Sequence, residues 1–291
     1  VERALFDTVI IGDAARVSVP EALVPIALAK HTLALGDDKL LGPTEFSVSA
    51  QRRTGTQPES AGVSVFEALT PVVPRLRLHT NHRVVPQEIA GLLNDVIYDD
   101  KLVSLPIADA GAPTGLAFIH VDGGEGSPDS ATGQVESPDV EVAEVVRLVF
   151  EHARTSPEQT LGVIALTPWH ARRIALAVAR QMPRYPELKA FFSNEGDEPF
   201  VITDAYRAQT LSRDAVIFTV GWGRTLAGRM LYSFGQLAQP GGQKVLAAAV
   251  TPAKQRLTVV SCLHPDEFDR SRLRHGSALL PVLLEAARSG S

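Results

Sequence analysis

The sequence predicts an α/β protein with a parallel β-sheet flanked by helices. Short β-branched apolar runs recur along the chain, and segments with helical periodicity separate them. Strands that alternate with helices are typical of parallel sheets joined by right-handed crossovers. The strands predicted in the second half are LGVIAL, FVIT, AVIFTVG and RLTVVS.

The start of the chain predicts a strand, helix, strand unit. Residues 5–11, LFDTVII, and residues 31–37, HTLALGD, are the two strands, and residues 20–30 form the helix. The first strand is largely apolar, as expected of a strand covered on both faces of a parallel sheet.

Three helices are predicted in the second half. Asp139 is the expected N-cap of the first, because four valines follow it at the spacing of one helical face. Pro168 suits the first turn of a helix over residues 168–182. Residues 279–287 are predicted as a terminal helix.

Two polar stretches interrupt these elements. Residues 51–64 are predicted as a surface loop. Residues 122–138 include DGGEGSPDSATG, which has the acids and glycines of a calcium loop without the ligand spacing of an EF-hand. We interpret this second stretch as a linker.

Length and composition limit the class of protein. The 291 residues exceed the roughly 100–150 of a common single domain, so two domains are expected. No apolar run reaches the roughly 20 residues of a membrane span, so no membrane association is predicted.

Cys262 is the only cysteine and has apolar neighbours, so the chain cannot form an internal disulfide. This predicts a protein of the reducing cytoplasm. The chain opens at Val1 just before a strand and without a signal peptide, which suggests a fragment.

Several common sites are missing from the sequence. It contains no GxxxxGK followed by Ser or Thr, no CxxC, no HExxH and no GxSxG. His79 and His82 form the only close histidine pair and are predicted to be structural or exposed. No metal site is expected.

Six segments occur in the order found in a helicase. They are FDTVIIGDAA, LALGDDKLLGPT, LRLHTNHRVVP, GVIALTPWHARR, AQTLSRDAVIFT and LAAAVTPAKQRLTVV. Together they resemble the C-terminal half of a superfamily 1 helicase, of the 1B type that includes AAA-type bacterial helicase-like proteins. The resemblance implies a partial first RecA-like domain over residues 1–75, with Walker-B-like and motif-III-like strands. It implies a second RecA-like domain with a C-terminal helix over residues 76–291.

The resemblance also implies an ATP site, but most of its residues are replaced. Active relatives carry Asp-Glu, for Mg²⁺ and the attacking water, where this chain has Gly12 and Asp13. Asp37 remains in the second segment, whereas the γ-phosphate-sensing glutamine is replaced by Leu40.

The later segments show similar replacements. A Tyr-Arg pair becomes Thr80 and Asn81, with Arg83 nearby as a candidate substitute, and Gln209 alone remains of the fifth motif. The arginine-finger position holds Pro252, and such a finger contributes roughly 10³–10⁵ in rate. The remnant nucleotide contacts are therefore Asp13, Asp37 and Gln209. We expect no cofactor, with ATP and Mg²⁺ as the alternative.

The resemblance implies a path for single-stranded nucleic acid. Trp169, His170 and Arg173 form one candidate contact, and Arg224 and Arg229 form a second. The alternative is that Trp169 packs against the helix start and the arginines stay solvated. A net charge of −5 excludes an extended basic coat but leaves room for a narrow basic groove.

Two functions follow. The first is a degenerate helicase-like pseudoenzyme, without ATPase activity of its own, that binds nucleic acid or acts as a protein-interaction scaffold. The second is the C-terminal part of an ATP-dependent helicase or translocase. In both cases an upstream segment or a partner protein would complete the first domain, and in the second it would supply the phosphate-binding loop.

Overall fold

The chain packs as two units in a computed structural model that describes residues 5–43, 63–81, 87–104, 115–130, 133–193 and 195–290. The units span residues 1–78 and 79–291, whereas the sequence predicts a boundary after residue 75. The predicted surface loop at residues 51–64 lies outside the described residues except for its last two, and so does Arg83.

The first unit is a parallel pair of strands with two helices on one face. The strands are β1 (Phe6–Ile11) and β2 (Ala29–Ala34), and the helices are α1 (Val19–Ala27) and α2 (Val65–Leu69). Ile11 of β1 is buried with Ala22 of α1 and Val65 of α2. The strand, helix, strand order matches the prediction.

The prediction that β1 is covered on both faces is wrong for the described residues. Phe6 and Ile10 are 52% and 63% exposed, and Leu33, paired in register with Ile10, is 48% exposed. Alternate residues of a strand point to opposite faces, so these three share the face away from the helices. We call Phe6, Ile10 and Leu33 the open sheet face.

The second unit contains a five-stranded parallel sheet in the order β5-β11-β9-β7-β8. Two short parallel pairs, β3 with β4 and β6 with β10, accompany it. The strands of this unit are β3 (Thr80–Asn81), β4 (Val103–Ser104), β5 (Gly115–His120), β6 (Glu125–Gly126), β7 (Leu161–Ala165), β8 (Val201–Asp204), β9 (Arg213–Thr219), β10 (Arg224–Thr225) and β11 (Ala253–Ser261).

Helices cover both faces of this sheet. The α-helices of this unit are α3 (Gln87–Val96), α4 (Asp139–Thr155), α5 (Pro168–Gln181), α6 (Gly242–Val250) and α7 (Leu280–Ser289). α4 and α5 pack with Val163 and Ile217 in the main core cluster. The chain reverses direction across the sheet after β8, so a right-handed crossover places α6 on the opposite face. There α6 lines a small apolar cavity with α3 and α7. The predicted α/β class is confirmed.

Two local predictions fail. Asp139 is the first residue of α4 rather than its N-cap, which is Pro138. The described residues of 122–138 do not form a free linker: β6 pairs with β10, and Gln134, Val135 and Ser137 are buried. Composition suggested a solvated segment, but part of it packs into the second unit, to which it belongs.

We predict opposite effects of alanine at two glycines of the second unit. A Cβ at Gly276 would lie 2.2 Å from the Gly242 carbonyl carbon, so Gly276→Ala should destabilise the fold by about 1–3 kcal/mol. Gly91 is exposed within α3, and a Cβ there meets no atom within 4 Å. Gly91→Ala should therefore stabilise the fold by about 1 kcal/mol. Thermal and urea unfolding measure both changes, and equal effects would contradict the described packing.

Candidate nucleic-acid interface

The candidate strand contacts lie at the carboxyl end of the five-stranded sheet. α5 begins directly after β7, and residues 220–229 follow the neighbouring strand β9. Loops at the carboxyl ends of parallel strands are the usual ligand-binding region of open α/β sheets. The sheet therefore brings Trp169, Arg224 and Arg229 to the same edge.

The outward side of α5 carries an aromatic and basic surface. The Thr167 hydroxyl caps the helix by accepting a hydrogen bond from the His170 amide at 3.3 Å. Trp169 is 51% exposed, and Arg172 and Arg180 are also exposed. In the described chain neither arginine forms an ion pair. We call Trp169, Arg172, Leu176 and Arg180, which recur at helical spacing, the α5 face.

The prediction that His170 contacts a strand is wrong, because its ring is completely buried. His170 shares the inward side of α5 with Ile174 and Val178, at the i, i+4, i+8 spacing of a helix. Its Nδ1 lies 2.7 Å from the Ser137 hydroxyl, and its Nε2 lies 2.8 Å from the Thr219 hydroxyl. The ring is therefore part of the interior of the second unit.

The other predicted arginines differ in whether their guanidinium groups are free to bind phosphate. Arg173 is ion-paired with Asp139 and donates a hydrogen bond to the Ser137 carbonyl. Arg224 is ion-paired with Glu267. Each of these charges is already balanced, so their geometry does not favour phosphate binding. Arg229 is exposed and makes no ion pair with the described residues.

A buried carboxylate that sequence reasoning missed lies behind these residues. Glu141 Oε1 accepts hydrogen bonds from the Thr219 hydroxyl at 2.6 Å and the Gly221 amide at 2.7 Å. Its Oε2 accepts from the Cys262 amide at 3.2 Å. Burial raises the pKa of Glu141, but hydrogen bonds and charge from His170, with those of Thr219 and Gly221, outweigh burial and hold the pKa below its ordinary value. The available signal was its position on the apolar side of α4, in line with Val145 and Val149.

Close backbone approach fixes the turn after β9. Gly221 has φ +71°, and a Cβ there would lie 2.6 Å from the His170 ring. A Cβ at Gly223 would lie 1.9 Å from the Gly124 carbonyl oxygen. Both positions therefore require glycine, which holds residues 221–224 against α5 and the segment after β5.

The three residues predicted to remain from a nucleotide-binding site, Asp13, Asp37 and Gln209, are divided between the two units. Asp13 and Asp37 follow β1 and β2, so both lie near the carboxyl edge of the two-stranded parallel sheet. Asp13 is exposed, with φ 51°, and Asp37 accepts a hydrogen bond from the Lys39 amide at 2.8 Å. Gln209 is buried in a short 3-10 helix of the second unit.

The last helicase-like segment lies at the amino edge of the second sheet. Lys254 donates to both carboxylate oxygens of Glu198, at 2.6 and 2.7 Å. The guanidinium of Arg213 donates to the carbonyls of Pro199 and Ser212. These cations are therefore occupied within the fold.

Within the described segments, no helix has both the length and the apolar character required to cross a membrane. They also contain no cluster of three or more His, Cys, Asp or Glu side chains that could hold a metal ion.

The fold and these segments define an α/β chain with helicase-like sequence, and comparison with known proteins confirms the resemblance. A relative named as the uncharacterized ATP-dependent helicase MG140, from Mycoplasma genitalium, is 24% identical over 281 residues, or 92% of this chain. Its homolog in Mycoplasma pneumoniae is 25% identical over 282 residues. The chain spans only 24% of the length of each relative.

The PRRSV helicase aligns with a TM-score of 0.39 and 14% identity, covering 87% of this chain and 34% of that chain. No family model matches the sequence.

We predict that Cys262 is unreactive in the folded protein. Burial, with the nearby Glu141 carboxylate, raises the pKa of its thiol far above the ordinary value, so the reactive thiolate is scarce. Iodoacetamide at pH 8.5 should label the native protein slowly and the urea-unfolded protein quickly. Because the folded pKa is the higher one, the thiol's contribution to stability is complete below the unfolded pKa and declines as pH rises above it. Rapid labelling of the native protein would contradict the buried position.

Proposed function

We propose that this chain is a degenerate helicase-like module that holds single-stranded nucleic acid and has no ATPase activity of its own. The observation that carries the proposal is the start of the α5 face, where half-exposed Trp169 stands near exposed Arg172, which forms no ion pair with the described residues, at the carboxyl end of a parallel sheet. Stacking of a base on an aromatic ring contributes roughly 1–3 kcal/mol, and arginine supplies phosphate contacts. The buried Cys262 fits a cytoplasmic location.

Loss of phosphate chemistry is supported by residues in both units. Glycine at position 12 has no side chain to bind a metal ion, and Pro252 carries no charge in place of the arginine finger. The neighbouring cation Lys254 is held by Glu198. Gln209 is buried, with side-chain exposure too small for a surface nucleotide contact. The resemblance is therefore stronger in the scaffold than in the catalytic positions.

A second function is favoured by two observations. The relatives are named ATP-dependent helicases, and this chain spans about a quarter of their length. The open sheet face exposes Phe6, Ile10 and Leu33, although parallel sheets are normally covered on both sides. In this alternative, upstream sequence of a longer polypeptide covers that face and supplies the phosphate-binding loop of an ATP-dependent helicase.

The strand contact can be tested with tryptophan fluorescence, because the chain contains two tryptophans and Trp222 is buried beside Phe234. Trp222→Phe leaves Trp169 as the only tryptophan, so its emission can be followed alone by selective excitation. A single-stranded oligonucleotide should quench that emission by stacking, whereas a duplex of the same length should quench it less. Trp169→Ala with Arg172→Ala should weaken strand affinity by roughly tenfold to a hundredfold and leave the Tm within a few degrees, because both side chains are exposed.

The matched control is Arg270→Ala, which removes an exposed arginine paired with Glu285 on another element. This variant should lower strand affinity only slightly, by the general attraction to phosphate that any positive charge contributes. Strand binding by anisotropy without any change in Trp169 emission would place the contact elsewhere and reject the α5 face.

Restoring three catalytic-type residues should not restore ATP hydrolysis. Gly12→Asp is sterically allowed, because a Cβ there meets no atom within 4 Å. We predict that the triple variant Gly12→Asp, Asp13→Glu and Pro252→Arg, like the unmodified chain, neither binds a fluorescent ATP analogue with Mg²⁺ nor releases phosphate, because it contains no phosphate-binding loop. Tight nucleotide binding by the unmodified chain would favour the alternative function. Turnover by the triple variant would show that the motif positions are misassigned.

A further inference from the structure

Four buried polar side chains form one connected group behind the α5 face. Ser137, Glu141, His170 and Thr219 are each at most 2% exposed. They come from the segment before α4, from α4, from α5 and from β9. We call them the Glu141 network.

The directions of the hydrogen bonds around Glu141 and Thr219 follow from chemistry. The amides of Gly221 and Cys262 can only donate, and an ionised carboxylate can only accept. The Thr219 hydroxyl therefore donates to Glu141 and must accept from His170 Nε2. His170 Nδ1 is hydrogen-bonded to the Ser137 hydroxyl at 2.7 Å. A continuous chain of hydrogen bonds therefore connects Ser137 to Glu141.

The network reaches both parts of the proposed strand path. His170 follows Trp169 in the first turn of α5, and Thr219 and Gly221 lead into the segment that ends at Arg229. Gly221 also contacts the His170 ring too closely to admit a Cβ. The two parts are about fifty residues apart in sequence, yet one carboxylate is connected to both.

We propose that Glu141 is a positioning residue that holds the first turn of α5 and residues 220–229 in a fixed relation, so that Trp169 and Arg229 meet the same strand. The proposal rests on the proposed strand binding and adds how that surface is pre-organised. Glu141 acts through Thr219, His170 and the Gly221 amide and does not itself touch the ligand. Buried polar networks of this kind specify a unique arrangement when every member is satisfied.

Two substitutions of Thr219 separate hydrogen bonding from packing. Thr219→Val keeps the volume and removes the hydroxyl, whereas Thr219→Ser keeps the hydroxyl and removes a methyl group. A positioning role predicts that the Val variant loses about tenfold in affinity for a single-stranded oligonucleotide and that the Ser variant binds nearly normally. A packing role predicts the reverse order, and that result would overturn the proposal.

Glu141→Gln provides a second test, because the positioning role and the loss of charge predict opposite changes in strand affinity. The substitution removes a negative charge, which by itself should strengthen attraction to phosphate. It also places an amide that donates opposite backbone donors. We expect weaker strand binding, whereas Glu151→Gln, which removes the same charge from an exposed position on α4, should leave binding unchanged or slightly tighter. Unchanged or stronger binding by Glu141→Gln would overturn the proposal.

Hydrogen exchange of the protein without nucleic acid tests the positioning independently of strand binding. In Glu141→Gln and Thr219→Val, amides in residues 168–173 and 219–226 should exchange faster together, while β7 keeps its protection. Faster exchange in only one segment, or equal loss throughout the sheet, would overturn the positioning role. Should Thr219→Val fail to fold, Ser137→Ala removes only the outermost hydroxyl and should still accelerate exchange in residues 168–173. If the unmodified protein binds no strand, the proposed function fails, while the exchange data still decide whether Glu141 couples the two segments.

Discussion

The buried carboxylate of Glu141 is the interaction on which the arrangement of the second unit depends. An isolated ionised carboxylate in an apolar interior is strongly unfavourable, so it is retained only where donors surround it. Here the donors come from Thr219, Gly221 and Cys262, at or just beyond the carboxyl ends of two adjacent strands. Because they belong to β9 and the residues after it and after β11, satisfying one side chain of α4 fixes that helix against two strand ends at once. In our proposal, this buried contact also positions the start of α5 and residues 220–229 at the surface.

Sequence patterns predicted the central strands well because those strands are buried on both faces. β7 and β9 are almost entirely buried, so their apolar β-branched residues are nearly continuous. β5 was missed because it lies at the edge of the sheet, where only Leu116 is fully buried and the pattern is mixed. The segment 122–138 was misinterpreted for a related reason. Its glycines suggested a linker, but at Gly124 a glycine permits close contact with Cys262.

The sequence predicted which types of residue lie at the candidate site, but not which of their side chains are exposed and free of ion pairs. An exposed tryptophan beside arginines at the start of α5 could be inferred from local sequence. The ion pairs that occupy Arg173 and Arg224 could not, because Asp139 and Glu267 lie 34 and 43 residues away in the chain. His170 was assigned to the surface because its neighbour Trp169 is there, although successive helical residues point about 100° apart. Tertiary contacts, rather than composition, decide which cations remain free.

At the amino end of the large sheet Lys254 and Arg213 are held within the fold, whereas the carboxyl end has exposed arginines besides the ion-paired Arg173 and Arg224. This difference favours the carboxyl end for ligand binding. At the amino edge, Lys254 is held by Glu198 and the Arg213 guanidinium by backbone carbonyls. An incoming phosphate there would have to displace interactions that already satisfy buried or half-buried groups, at a cost that offsets its attraction. At the carboxyl edge, Arg172 and Arg229 are solvated and the Trp169 ring is half exposed. Binding of the proposed strand there would exchange only hydration for phosphate contact and stacking, which favours the carboxyl end over the amino end for that contact.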